Sequence, residues 1–173
     1  MATVQKISSC LWFNDEAEEA VKFYTSVFKN SKIGRINRYG KEGYEIHGKK
    51  EGAVMTIEFW LENQGFVALN GGNQFKFNEA VSFIVNCDSQ KEIDYYWEKL
   101  KQGGDEKAQV CGWLKDKYSL SWQIVPESLP GMLSNSDSEK SQRVMKELLQ
   151  MKKIDMTTLE KAFSSRAFAD NYN

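Results

Sequence analysis

The residue types that most often carry catalysis are scarce in this chain of 173 residues. His47 is the single histidine, and it lies in a Gly- and Lys-rich stretch, Gly43 to Gly52, that is typical of an exposed hairpin tip. Any Ser-His-Asp or Cys-His triad would have to use this one side chain. A metal site built from several histidines is excluded, because the chain has only one.

The cysteines offer no better starting point for chemistry. Cys10, Cys87 and Cys111 are an odd number and contain no CxxC pair, which argues against a disulfide framework and against a zinc knuckle. Free cysteine behaves as a small apolar side chain, so we expect three buried thiols.

Two pairs of carboxylates could be proposed as general acid and base. They are Glu58 with Glu62, and Asp116 with Glu127. In a chain with 24 acidic residues, neighbouring carboxylates are more often solvated surface charges. The sequence therefore does not identify a catalytic residue.

Charge and hydropathy exclude several classes of partner. The 23 basic and 24 acidic residues give a net charge of -1, which would not gather nucleic acid or an anionic membrane. The first residues lack an apolar signal core, and no apolar run approaches the roughly 20 residues that a membrane helix needs. We therefore expect a soluble, cytoplasmic protein.

The first half of the chain has a β-α-β-β-β pattern. Apolar residues at helical spacing predict one amphipathic helix that starts after Asn14-Asp15 and stops near Lys29-Asn30. Around it, β-prone segments separated by Gly- and Asn-containing turns predict four strands, at 7–13, 32–39, 52–61 and 65–70.

The second half repeats this order at an offset of 73 residues. Ala20 corresponds to Ile93, and Val27 corresponds to Leu100, in the two helices. The predicted strands of this half are 80–86, 108–113, 114–118 and 120–126, and the last two form a closing hairpin around a charged tip. We interpret the pattern as an internal duplication.

After Pro126 the pattern changes to two amphipathic helices outside the repeat. The predicted organisation is a first unit at 1–74, a second unit at 75–127 and a C-terminal helical extension at 128–173, in one compact domain.

Several motifs of the chain carry a resemblance to a known family. They are Cys10-Leu11-Trp12-Phe13, Ala68-Leu69-Asn70-Gly71-Gly72, Phe77-Asn78-Glu79-Ala80, Cys111-Gly112-Trp113-Leu114-Lys115-Asp116 and Trp122-Gln123-Ile124-Val125-Pro126. In these motifs the chain resembles the vicinal oxygen chelate superfamily, which includes glyoxalase, bleomycin-resistance proteins and extradiol dioxygenases. It is most similar to the PhnB-like branch, often labelled demethylubiquinone methyltransferase-like.

The resemblance implies an α+β fold in which paired βαβββ units form an open, cup-shaped mixed sheet, with helices outside and a C-terminal helical pair. It also implies metal-ligand positions at Ser9, Asn70, Ala80 and Gln123. Alanine cannot bind a metal, and the other three offer only neutral oxygens, which are poor ligands for a divalent transition metal. We therefore predict no bound metal and no cofactor.

The same positions predict a pocket for a small molecule. If Ser9 points into the cup, alternation along the strand also points Leu11 and Phe13 inward. The predicted lining is mostly apolar with a few hydrogen-bonding groups, as in many small-molecule sites. It consists of Ser9, Leu11, Phe13, Asn70, Ser82 and Gln123.

Three functions are compatible with these residues. The first is a metal-free protein that binds an unknown small molecule, and the second is an enzyme of the same superfamily. A methyltransferase is a weaker form of the second, because Gly71-Gly72 follows a strand but leads towards another strand, not into a helix. The third is a structural or regulatory dimer without a ligand. The open sheet edges and the resemblance predict a homodimer.

Overall fold

The computed structural model describes residues 6–165, so the first residues of the chain and the end of the predicted extension lie outside it. The chain divides into two compact units, Met1–Phe77 and Asn78–Asn173. Each unit contains a mixed sheet with helices.

Unit 1 is a four-stranded sheet with one long helix. Its strands lie in the order β1-β4-β3-β2, where β1 runs parallel to β4 and the other pairs are antiparallel. The elements are β1 Ser9–Phe13, α1 Ala17–Val27, β2 Lys32–Arg38, a short α2 Tyr44–His47, β3 Val54–Leu61 and β4 Gln64–Asn70.

The core of unit 1 lies between α1 and one face of this sheet. The Tyr24 ring of α1 stacks on Phe59 of β3 at 6.5 Å, and Phe59 stacks on Phe66 of β4 at 5.3 Å. Burying each such side chain stabilises the fold by about 1.5–3 kcal/mol. Their cluster fixes which face of the sheet the helix covers.

Unit 2 is a three-stranded sheet followed by a helical extension. Its strands lie in the order β5-β7-β6, with β5 parallel to β7 and β6 antiparallel to β7. The elements are β5 Ser82–Cys87, α3 Gln90–Leu100, a 3-10 turn Glu106–Ala108, β6 Trp113–Lys115, β7 Ser121–Pro126, α4 Leu129–Leu133, α5 Ser138–Leu148 and α6 Met156–Ser164.

The predicted α+β class and the closing hairpin are confirmed, but unit 2 has one strand fewer than predicted. Cys111 and Gly112 have φ angles of 51° and 85°, which an extended strand does not allow. Residues 116–120 form a turn, because the Asp116 carboxylate accepts the amides of Tyr118 and Leu120 at 2.8 and 3.1 Å. The two segments 108–113 and 114–118 therefore yield only the three-residue strand β6.

The C-terminal extension is attached to unit 2 through backbone hydrogen bonds. The amides of Cys111 and Gly112 donate to the carbonyls of Met151 and Lys152 at 2.7 and 2.8 Å. The Gln90 side chain at the start of α3 donates to the Ile154 carbonyl at 3.1 Å and accepts from the Met156 amide at 2.9 Å. The start of α3 and the segment before β6 thus hold the extension in place.

Within the described part of the chain, every helix is too short or too polar to cross a membrane.

Candidate functional site

In unit 1 the side chains predicted to line the pocket lie on the face of the sheet that α1 covers. Ser9 is paired with Phe66, which belongs to the aromatic cluster under α1. Paired residues of neighbouring strands share a face, so alternation places Leu11 and Phe13 there too. Both are buried, at 5% and 4% exposure. The predicted inward orientation of this strand is therefore reversed.

Asn70 lies on the same covered face and uses its side-chain amide for internal hydrogen bonds. Its Oδ1 accepts from the Ala17 amide at 2.9 Å, and its Nδ2 donates to the Val54 carbonyl at 3.1 Å. The first of these bonds satisfies an amide in the first turn of α1 that has no partner within the helix. In this structure Asn70 therefore joins β4 to α1 and β3.

In unit 2 the two predicted residues lie together on the face opposite α3. The Gln123 Nε2 donates to Ser82 Oγ at 2.9 Å. Gln123 is half-buried, whereas its neighbours along β7, Trp122 and Ile124, are buried at 3% and 0% exposure. Ser121 and Val125 share the face of Gln123 by strand alternation and are also buried, at 1% and 9% exposure, so Gln123 is the half-buried residue of that face of β7.

Gln123 stands between two apolar side chains in a row that crosses all three strands. It is paired with Ile84 of β5 on one side and with Trp113 of β6 on the other. Ile84 is 56% exposed, and Trp113 is half-buried. An amide between an aliphatic side chain and an indole can bind a planar group with one polar edge.

The adjacent row is more polar. It consists of Ser82, Ser121 and Lys115 on the same face. The Ser121 hydroxyl is fully buried and has no hydrogen-bond partner among the described residues, while the Lys115 ammonium forms an ion pair with Glu79. The face thus offers the Gln123 amide, the Ser82 hydroxyl and one cation beside an apolar strip.

Three of the four candidate carboxylates are engaged in other interactions. Glu58 pairs with Arg35 at 2.5 Å, and Glu62 accepts from the Asn30 side chain at 2.7 Å. Asp116 is 2% exposed and accepts the Trp122 indole N–H at 2.8 Å in addition to the two turn amides. The prediction of three buried thiols is correct only for Cys87, because Cys10 is exposed and Cys111 is half-buried. Burial, reinforced by nearby carboxylates, raises the pKa of the Cys87 thiol to about 12, so it stays protonated at neutral pH.

The residues of the two sheets do not fit the metal that is usual in the superfamily. Within residues 6–165, no group of three or more His, Cys, Asp or Glu side chains is placed to hold an ion. The face around Gln123 offers neutral oxygens and a lysine, which do not suit a divalent transition metal.

Gly71 is required by packing and does not form a ligand cradle. A Cβ at this position would lie 2.2 Å from Cζ2 of Trp12. The Trp12 indole N–H also donates to the Gly72 carbonyl at 2.8 Å. An indole therefore fills the space that a nucleoside cofactor would need beside Gly71.

Sequence comparison agrees with this fold. The chain belongs to the family described as 3-demethylubiquinone-9 3-methyltransferase, whose sequence profile matches residues 5–125. Its PhnB and FosX structural relatives share the fold that the resemblance to the vicinal oxygen chelate superfamily predicts. No curated protein matches the chain.

Three solved structures illustrate the relationship. A putative 3-demethylubiquinone-9 3-methyltransferase, a PhnB protein from Bacillus cereus, is 37% identical; the match covers 70% of this chain and 99% of that one, with a TM-score of 0.61. Protein PA1353 from Pseudomonas aeruginosa is 16% identical, covering 72% and 98%, with a TM-score of 0.55. The fosfomycin resistance protein FosX from Mesorhizobium loti is 12% identical, covering 78% and 99%, with a TM-score of 0.52.

The six-residue pocket as a whole stays a prediction, and its members fall on two kinds of surface. Ser82 and Gln123 are joined by a hydrogen bond on the face opposite α3, whereas Leu11, Phe13 and Asn70 are buried under α1. Ile84 and Trp113 were missing from the predicted pocket. The pairing of β5, β6 and β7 shows their position beside Gln123, and strand alternation from Ser82 along β5 indicates the same face for Ile84.

Proposed function

We propose that this protein binds a small planar molecule on the face of the unit 2 sheet opposite α3, without a resident metal or cofactor. The observation that carries the proposal is the row Ile84, Gln123 and Trp113, in which one amide lies between two apolar side chains. Ile84 and Trp113 would contact the faces or edges of the ligand, and Gln123 would bind its polar edge.

The hydrogen bond between Gln123 and Ser82 supports this role. It uses one of the two donors of the Gln123 amide and holds the amide in one orientation. The Oε1 and the second N–H remain to meet a ligand that carries a donor next to an acceptor. Pre-orientation of this kind lowers the entropy lost on binding.

The test is a screen of small planar carboxamides and carboxylic acids against ¹⁵N-labelled protein, followed by Kd measurement for each compound that binds. We expect binding to shift the Trp113 indole and Gln123 side-chain signals. Gln123→Ala should weaken binding about tenfold, the upper range for one neutral hydrogen bond. Gln64→Ala is the control, because Gln64 is an exposed amide at the start of β4.

Two outcomes would contradict the proposal. One is that the compounds found in the screen bind the Gln123→Ala variant with the same Kd as the wild type. The other is binding that disappears when EDTA is added, because a chelator should have no effect on a metal-free site.

An enzyme of the same superfamily is the alternative function, either of the lyase, isomerase or dioxygenase type or the methyltransferase that the family label implies. It is favoured by the family's description, which names a methyltransferase activity. Each compound that binds should therefore be incubated with the protein and recovered. Recovery of a changed compound would favour the enzyme, and recovery of the compound unchanged would favour a binding protein.

A cytoplasmic homodimer is the assembly that we propose for this function. Strand β2 is exposed along its whole length at the edge of its sheet, and it carries Ile33 and Ile36 with 44% and 41% exposure. Free edges and exposed apolar side chains favour association. A mass of one chain by light scattering at micromolar concentration would contradict the dimer.

A further inference from the structure

Unit 1 contains a cleft that the proposed function does not use. Its volume is about 470 Å³, and it lies where the end of α1 and the start of β2 meet the hairpin between β3 and β4. No acidic side chain lines it. The lining residues are Lys29, Asn30, Ser31, Lys32, Trp60 and Asn63.

Two lysines give this cleft a positive charge. Lys29 and Lys32 are exposed, and neither forms an ion pair with any residue that the structure describes. The Lys32 ammonium lies 4.5 Å from the centre of the Trp60 ring, so a cation–π contact holds it above the indole.

The Glu62 carboxylate is bonded to Asn30, a residue of the cleft lining. Glu62 and Asn63 form the two-residue hairpin turn with φ angles of 45° and 67°. The Glu62 carboxylate accepts from the Asn30 side chain at 2.7 Å and is not part of the cleft lining, whereas the Asn63 side chain is. The turn thus presents an amide to the cleft.

We infer that this cleft binds a small oxyanion, a phosphate or carboxylate group, between Lys29 and Lys32. The groups available to it are donors: two ammonium groups, the Asn63 amide and the Trp60 indole N–H, which has no hydrogen bond to another residue in the described range. Charge-assisted hydrogen bonds from such a set favour oxygen anions.

The test is a titration of the ¹⁵N-labelled full-length protein with inorganic phosphate, and separately with acetate, at constant ionic strength. We expect saturable shifts of the amides of residues 29–32 and of the Trp60 indole. The Lys29→Gln/Lys32→Gln double variant should weaken binding at least about tenfold, because each removed charge-assisted contact contributes to affinity. The matched control is Lys41→Gln/Lys50→Gln, which removes the same charge from two exposed lysines of the loop around α2.

Shifts that rise linearly with phosphate and never saturate would overturn the inference, as would equal affinity in both double variants. Saturation by phosphate but not by acetate would identify a phosphate group as the ligand, and the reverse would identify a carboxylate. Because Gln123 lies in the other unit, Gln123→Ala should leave this titration unchanged, so the two proposals fail independently.

Discussion

The two units pack an eleven-residue helix on a mixed sheet, but they connect the first strand to that helix differently. In unit 1 three residues separate Phe13 from Ala17, and in unit 2 only two residues separate Cys87 from Gln90. The helices therefore correspond at an offset of 73 residues, whereas the buried ends of the strands correspond at 74. One residue is enough to move every side chain of a strand to the other face.

The two helices also begin with different caps. In unit 2 the Ser89 hydroxyl accepts the Glu92 amide at 3.3 Å, and the Glu92 carboxylate accepts the Asp88 amide at 3.1 Å, which is a local capping box. In unit 1 no local side chain caps α1, and Asn70 reaches it from β4. The first unit thus depends on a contact between distant segments where the second uses neighbours in sequence.

Each unit has one buried polar side chain that joins backbone segments, and replacing Asp116 should have the largest effect. Asp116→Ala leaves two turn amides and the Trp122 indole N–H without their acceptor. We expect a loss of about 3 kcal/mol in the free energy of unfolding, measured by urea denaturation at pH 7. Asp116→Asn, which keeps one acceptor oxygen, should lose less. Equal losses in both variants would show that the carboxylate's charge, and not the number of acceptors, determines the stability.

Asn70→Ala should have the next largest effect and would test the difference between the caps. It removes the cap of α1 and the bond to the Val54 carbonyl, so we expect a loss of about 2 kcal/mol. Ser89→Ala, the matched change at α3, should cost about 1 kcal/mol because only a local cap is lost. Similar unfolding energies for the two variants would remove the distinction between a distant and a local cap.

The smallest effect concerns the ion pair between Asp94 of α3 and Lys153 of the extension, which has no counterpart at the corresponding position of α1. Hydrogen bonds from Lys153 and then Gln90 hold the pKa of Asp94 below its ordinary value, whereas the corresponding residue of α1, Val21, is buried in the core. A lowered pKa means that the pair stabilises the fold above the ordinary carboxyl pKa and is lost as the pH falls through the lowered value. Asp94→Asn should therefore be less stable than the wild type by a few tenths of a kcal/mol at pH 7, roughly the value of an exposed pair, and the difference should shrink as the pH falls through the lowered pKa. A difference that stays the same on acidification would contradict this assignment.

The sequence was sufficient for helices α1, α3, α5 and α6, the strands of unit 1 and the closing hairpin, because periodicity and turn residues are local signals. It did not predict the short helices α2 and α4, which contain too few turns to show a helical period. It was insufficient for strand orientation. Ser9 was assigned to the pocket by its position in the superfamily. An alignment of the two halves at a single offset does not show that the connection between the first strand and the helix is one residue longer in unit 1 than in unit 2. Asn70 was predicted to bind a ligand, and nothing local indicates that its amide is used 53 residues away at the start of α1.

The missing strand of unit 2 has a similar cause. Segment 108–113 has strand-like residues, but Gly112 approaches other atoms too closely for any side chain, with a Cβ expected 2.9 Å from the Ile124 carbonyl oxygen. That constraint comes from β7 and the extension, which are distant in sequence. The local pattern could not reveal it.

The attachment of the extension makes two amides into reporters of local opening. The Cys111 and Gly112 N–H groups are bonded to carbonyls of residues 151 and 152, which lie beyond the region that the family profile covers. Their exchange with solvent deuterium requires the extension to detach, whereas the amides between β5 and β7 exchange only when the sheet itself opens. The relative protection of these two sets of amides therefore measures how far the extension is a part of the cooperative fold of its unit.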